Sequence, residues 1–112
     1  MKRRVEAISP QLPFGALDDL LQHRARLGAA VLLARHEQLS FSRLKTLLDE
    51  TDGNLGAQMR KLEDAEYVVA RKEFQDRRPV TWYALTAKGR QALSQHLANL
   101  ERLIQHARRG RG

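Results

Sequence analysis

The sequence contains no cysteine. That excludes a disulfide framework and any zinc site built on thiolates, and it fits a reducing compartment. Aromatic residues make up only 5% of the chain, so leucine, alanine and valine must build most of its core. No apolar run approaches the ~20 residues that a membrane-spanning helix needs. The opening Met1-Lys2-Arg3-Arg4 is basic, but no apolar stretch follows it. It therefore does not read as a secretory signal, and the expected location is the cytoplasm. There is no internal repeat and no low-complexity tract.

The chain does have 112 residues with a hydrophobic fraction of 42%, enough for one domain with a real core. Its net charge is +7, a balance that suggests a polyanionic partner. Part of that excess sits at the ends. Residues 42–90 carry ten basic side chains against eight acidic ones, so arrangement rather than count must carry the argument.

Residues 1–16 hold Pro10, Pro13 and Gly15, show no clear period, and read as a flexible basic arm. From Leu17 the spacing turns helical. A short helix is expected first, then one from about His23 to Glu37, with Gly28 dividing or tightening the stretch. Leu39-Ser40-Phe41 is a short link or minor strand. Ser42 reads as the N-cap of a helix whose apolar face is Leu44, Leu47 and Leu48. Thr51-Asp52-Gly53-Asn54 is a turn. A further helix from about Gly53 to Ala65 buries Leu55, Met59 and Leu62. The period then changes. Residues 67–74 read as a strand, 75–79 as a polar turn and 80–85 as a second strand, together a hairpin with a charged tip. Thr86 opens a long helix to about Arg108. The domain thus spans 17–108, with 109–112 as a tail.

The fold expected is mainly α with a small β-hairpin: a winged helix-turn-helix with a long C-terminal dimerisation helix. On the helix after residue 52, the face opposite the apolar stripe carries Asn54, Ala57, Arg60 and Lys61, with Gln58 at its flank. Its first two turns hold no acid after Asp52. Small residues allow close approach to a groove, amides read an adenine edge, and Lys or Arg reaches guanine or phosphate. In the hairpin, Arg77 and Arg78 at the tip suit the minor groove or a phosphate, and Arg71 and Lys72 on the rising strand suit phosphates. Ser42 and Arg43 are candidates for the DNA backbone. Taken singly, each feature is also what a solvated surface looks like. Their order along the chain is what points to DNA.

Several motifs in sequence order carry a family resemblance. Leu55-x3-Met59-x2-Leu62-Glu63-x2-Glu66-Tyr67-Val68 resembles the recognition helix and following strand of winged-helix repressors. Asp76-Arg77-Arg78 followed by Leu85-Thr86-x-x-Gly89-Arg90 is similar to the wing and the Leu-Thr-x-x-Gly segment of MarR-type regulators. Arg78-Pro79-x-Thr81-Trp82-Tyr83 looks closer still to a compact subgroup of winged-helix transcriptional regulators. The resemblance covers roughly residues 20–105. Glu66 departs from it, since the family often has glycine there. The resemblance implies a homodimer on a pseudo-palindromic DNA site, usually repressing a promoter, with the recognition helix and wing on the DNA. It also implies, for the longer relatives, a small-molecule effector near the dimer interface; this chain is shorter.

Leu93, Leu97, Leu100 and Ile104 recur at four, three and four, like a coiled-coil stripe. With Leu17, Leu20 and Leu21 they form the expected dimer interface. Enzyme chemistry is not expected. His23, His36, His96 and His106 share no ligand spacing. Ser40, Ser42 and Ser94 lack a nucleophile elbow, and Gly53 and Gly56 are too isolated for a phosphate loop. No cofactor, metal or membrane is expected; the partners expected are double-stranded DNA and a second copy. The rival reading is a winged-helix protein–protein adaptor, in which Asn54, Gln58, Lys61 and Arg78 are replaceable without effect on nucleic acid. An RNA-binding winged helix is weaker, because nothing exposes a platform of stacking aromatics.

Overall fold

The structure, a computed structural model, describes residues 13–109. The expectations for the arm at 1–12 and for the tail at 110–112 lie outside the described residues. Four α-helices and a small antiparallel sheet follow in the order α1 (Arg24–Arg35), β1 (Leu39–Ser40), α2 (Phe41–Leu48), α3 (Asp52–Asp64), β2 (Val68–Gln75), β3 (Arg78–Leu85) and α4 (Ala87–Arg109). Two 3₁₀ turns, Pro13–Ala16 and Asp19–Gln22, precede α1. The sheet order is β1-β3-β2, so the minor strand joins the hairpin through Leu39↔Tyr83 and Ser40↔Trp82. This is the winged helix-turn-helix arrangement, mainly helical with a hairpin wing and a long last helix.

The core explains the order. Leu21, Leu33, Leu44, Leu55, Met59 and Leu62 are fully buried, drawn from the second 3₁₀ turn and from α1, α2 and α3. Each such side chain contributes about 1.5–3 kcal/mol by leaving water. Gly28 does not interrupt α1; the Leu48 side chain from α2 lies 2.6 Å from where a Cβ would sit.

Helix ends are set by local chemistry. Ser40, not Ser42, caps α2: its Oγ accepts from the Arg43 N–H at 3.1 Å. Ser40 is still extended as the last residue of β1, while Phe41 already turns inward onto the core. Ser42 is left exposed, and its carbonyl accepts from the Thr46 hydroxyl at 3.1 Å. Thr51 caps α3 by accepting from the Asn54 N–H at 3.2 Å. At the far end of α3, the Glu66 N–H donates to the Glu63 carbonyl at 2.8 Å and the Tyr67 N–H to the Leu62 carbonyl at 2.9 Å. That pair of bonds is a Schellman closure, whose left-handed residue is usually glycine. Here it is Glu66, with φ 65°.

The Leu-Thr-x-x-Gly segment is a structural joint. The Thr86 hydroxyl accepts from the Gly89 N–H at 2.9 Å, capping α4, and donates to the Glu66 carbonyl at 2.6 Å. A Cβ on Gly89 would lie 2.1 Å from the Tyr67 carbonyl oxygen. Only glycine lets α4 press so closely on the strand entering the wing.

α4 runs 23 residues, about 35 Å at the usual rise. Its first half packs on the chain's own core. Leu93 is 4% exposed and Leu21 is fully buried. Both were expected at a dimer interface, and that expectation is corrected: side chains already covered by their own chain have no area left for a partner. His96 and Asn99 are buried as well. His96 Nδ1 accepts the Asp18 backbone N–H at 3.0 Å, and Asn99 Nδ2 donates to the Ala16 carbonyl at 3.2 Å. The last residues of the expected loose arm are therefore held against α4. Asp18 also accepts from the Tyr67 hydroxyl. Burial, then the Asp18 hydrogen bond and charge, push the Tyr67 phenol up to about 12.

Candidate nucleic-acid interface

Successive residues of a helix are turned about 100° apart. The buried set on α3 is Leu55, Gln58, Met59 and Leu62. The exposed stripe opposite is Gly53, Ala57 and Arg60, with Lys61 at one edge. Small residues at the front and cations behind are what a helix entering a major groove needs. Asp52, the acid at its front, is engaged by Lys45 of α2 at 2.9 Å.

Two of the expected readers are committed elsewhere. Gln58 is only 7% exposed. Its Oε1 accepts from an Arg26 guanidinium N–H, and its Nε2 donates to Asn54 Oδ1 at 3.1 Å. Asn54 is half-buried and donates onward to Glu50, which also accepts from Arg24. Arg26 Nε in turn donates to the Leu20 carbonyl at 2.6 Å. The result is a polar brace from the N-terminal 3₁₀ turn through α1 to the front of α3. Gln58 is thus corrected from groove reader to brace, because its position completes the inward stripe. The sequence reading missed Arg26 and Glu50 altogether. An arginine amid the apolar residues of α1 is the signal that marks such a brace.

The wing is a two-residue hairpin. Gln75 pairs with Arg78, so only Asp76 and Arg77 form the turn, and Pro79 belongs to β3 opposite Phe74. The expected five-residue turn is corrected to two. Asp76 and Arg77 both have positive φ, 51° and 68°, the mark of the type I′ turn that matches strand twist. Arg77 and Arg78 are exposed.

Strand alternation separates the two cations expected to act together. Lys72 shares a face with Val68 and Ala70, the face turned toward α3. With Thr81 it borders a cleft of about 460 Å³ whose other wall includes Gly56 and Arg60. Arg71 lies on the opposite face. It is bound by Glu73 and, at 2.9 Å, by Gln38. Arg71, expected at a phosphate, thus braces the side of the wing while its side chain stays 55% exposed. The Arg71 hydrogen bond holds the Glu73 carboxyl below its usual range, against the opposing effect of desolvation, with help from the Trp82 indole N–H at 3.0 Å. Behind the wing, Lys88 lies 3.7 Å from Glu66, and Arg90 donates to the Ala34 carbonyl at the end of α1. Both are occupied on the flank.

Residues 25–104 match the model of the winged helix DNA-binding domain. The chain belongs to that family. The transcriptional regulator homologue protein from Pyrococcus horikoshii OT3 is 31% identical over 79% of this chain and 87% of its own, with a TM-score of 0.73. YusO from Bacillus subtilis, 20% identical over 96% of this chain and 73% of its own, superposes with a TM-score of 0.69. A MarR-family transcriptional regulator from Silicibacter pomeroyi, 22% identical, covers 77% of this chain and 60% of its own with a TM-score of 0.56. The last two share the fold. No curated protein matches in sequence. The chain is therefore a winged-helix protein by sequence, and it shares its fold with a MarR-family regulator. Among the described residues, no helix is long and apolar enough to cross a membrane, and no group of three or more acidic or histidine side chains is placed to hold a metal.

Of the expected dimer set, Leu17 and Leu20 are half-buried, Leu97 is 43% and Ile104 45% exposed, and Leu100 is half-buried. From Leu100 to Arg109 no side chain of α4 is buried.

Proposed function

We propose that this winged-helix protein is a sequence-specific transcriptional repressor, not an enzyme, that acts in the cytoplasm as a homodimer on a pseudo-palindromic DNA site. α3 enters the major groove, and the wing lies on the adjacent minor groove and backbone. Gly53, Ala57, Arg60 and Lys61 face the groove. Lys72, Arg77 and Arg78 meet the minor groove and phosphates, and Arg43 the backbone beside them. Asn54, at the edge of the brace, reaches a base only by exchanging its Glu50 partner. The observation that carries this reading is the exposed stripe of small and cationic residues at the front of α3, with a cationic hairpin beside it. The far half of α4, with Leu97 and Ile104 uncovered, supplies the second copy's contact. Two copies are what half-sites one helical turn apart (about 34–36 Å) require.

The test is a fluorescence-anisotropy titration with duplex DNA taken from upstream of the protein's own coding sequence. The wild-type protein is expected to bind with a steep salt dependence. The double substitution Arg77→Ala, Arg78→Ala is expected to reduce both affinity and salt slope, the slope by about two. Sedimentation at micromolar concentration checks the dimer. Wild-type binding that is indifferent to salt and to both arginines would favour the adaptor reading instead.

A further inference from the structure

Phe74 is 76% exposed, the most exposed large apolar side chain among the described residues. It stands in β2 directly opposite Pro79 of β3, one pair short of the turn. Gln75 and Arg78 close a two-residue hairpin and so form the hydrogen-bonded pair. Phe74 and Pro79 are then a non-bonded pair, in which side chains lie closest and proline's missing N–H costs no ladder bond. Alternation puts Phe74 on the same face as Ala70 and Lys72, the face turned toward α3. Two residues beyond Lys72 is about 7 Å further out, past the end of the cleft, where α3 no longer covers the sheet. An aromatic ring is thus held out on one face of the wing, with Lys72 below it on the same face, Asp76 and Arg77 at the apex, and Arg78 on the opposite face.

Resting on the reading of α3 and the wing as a DNA-binding unit, we infer that Phe74, backed by Pro79, is the apolar contact of the wing with the wall of the DNA minor groove. A hairpin inserted into that groove offers one face to each wall. The walls are deoxyribose rings, apolar between charged phosphates. The Arg78 face meets phosphate, and the Phe74 face meets sugar. This contact adds affinity without releasing counterions, and it favours base steps that widen easily.

The two kinds of contact differ in salt dependence. Phe74→Ala is expected to weaken binding about tenfold at every salt concentration and to leave the slope of log affinity against log salt unchanged. Arg77→Ala and Arg78→Ala each lower the slope by about one. Because Phe74 is exposed, its thermal midpoint should match the wild type's, and Phe74→Leu should recover most of the affinity. Saturating the duplex with a small minor-groove ligand should erase the difference between wild type and Phe74→Ala. Wild-type affinity in Phe74→Ala would overturn the inference while leaving the DNA reading intact. A loss of affinity that follows a weakened dimer in sedimentation would also overturn it, making Phe74 an interchain contact. Failure of the wild-type protein to bind any duplex would overturn both.

Discussion

Arg77 holds φ 68° at the second turn position of the wing, where the hairpin geometry favours glycine. Replacing it with glycine separates what its backbone costs from what its side chain does. A left-handed conformation costs an L-residue about 1–2 kcal/mol. Glycine avoids that but loses about 0.5–1 kcal/mol more chain entropy on folding. Arg77→Gly should therefore stabilise the fold by about 0.5–1 kcal/mol, a rise of roughly 2–6 °C in thermal midpoint. DNA affinity should move the other way, with the salt slope smaller by about one. Arg78→Gly is the matched control. Arg78 lies in β3 with no positive φ, so glycine there costs about 0.5–1 kcal/mol while removing a similar charge. The pair should thus agree in their effect on DNA and oppose each other in stability. Circular-dichroism melts at fixed protein concentration and anisotropy titrations over a salt series measure both. An Arg77→Gly protein that is less stable than wild type, or that binds DNA with an unchanged slope, refutes the reasoning. A strained arginine kept at a position that suits glycine is itself an observation in favour of function at that point.

Three further outcomes follow from particular contacts. Glu66→Gly should stabilise the protein by about 1 kcal/mol in urea unfolding and leave DNA binding alone, since the exposed Lys88 pair it gives up, at 3.7 Å, contributes little. Gly89→Ala should destabilise by about 3 kcal/mol or more, because the added methyl meets the Tyr67 carbonyl at 2.1 Å and backbone cannot step aside as a side chain would. The Glu73 carboxyl, whose folded value is lowered, contributes stability that is present above 4.5 and lost as pH falls through that lower value. Trp82, the single tryptophan, donates to it, so its fluorescence should titrate below pH 4.5, and Glu73→Gln should abolish that transition.

Periodicity made much of the fold legible. Leu55, Met59 and Leu62 are three residues on one side of a helix, and all are fully buried. The change to β-branched and aromatic residues after Tyr67 marks the hairpin, and Thr86-x-x-Gly89 marks the start of the last helix. What stayed illegible depends on which partner a polar residue finds. Gln58 completes the inward stripe of α3 by position, but the sequence does not reveal that Arg26 from α1 is the partner that satisfies it there. Ser40 and Ser42 are equally good caps by composition; β1 decides between them by keeping Ser40 extended. Leu93 and Leu97 share a heptad-like spacing, yet one is buried and the other 43% exposed. The buried side of α4 follows Gly89, Leu93, His96 and Asn99, and Leu97 stands at its edge.

Charge shows the same principle at the interface. The near balance of acids and bases in residues 42–90 looks unpromising for a polyanion partner. Pairing sorts it. Glu50 is taken by Arg24 and Asn54, Asp52 by Lys45, and Glu73 by Arg71. Among the described residues, Arg43, Arg60, Lys61, Lys72, Arg77 and Arg78 make no such pair. Glu63 and Asp64 remain at the C-terminal end of α3, the end away from the exposed Gly53–Ala57 front. These cations belong to α2, α3 and the wing, while the acids near the front of α3 are paired, Glu50 with its side chain buried and Asp52 at the surface. Asp49, Glu63, Asp64 and Asp76 also make no such pair among the described residues, so free cations outnumber free acids on that side without standing alone. Pairing thus gives a distribution of free charge that total composition conceals: Lys45 engages Asp52 and Arg71 engages Glu73, which leaves the remaining cations of α2, α3 and the wing unpaired.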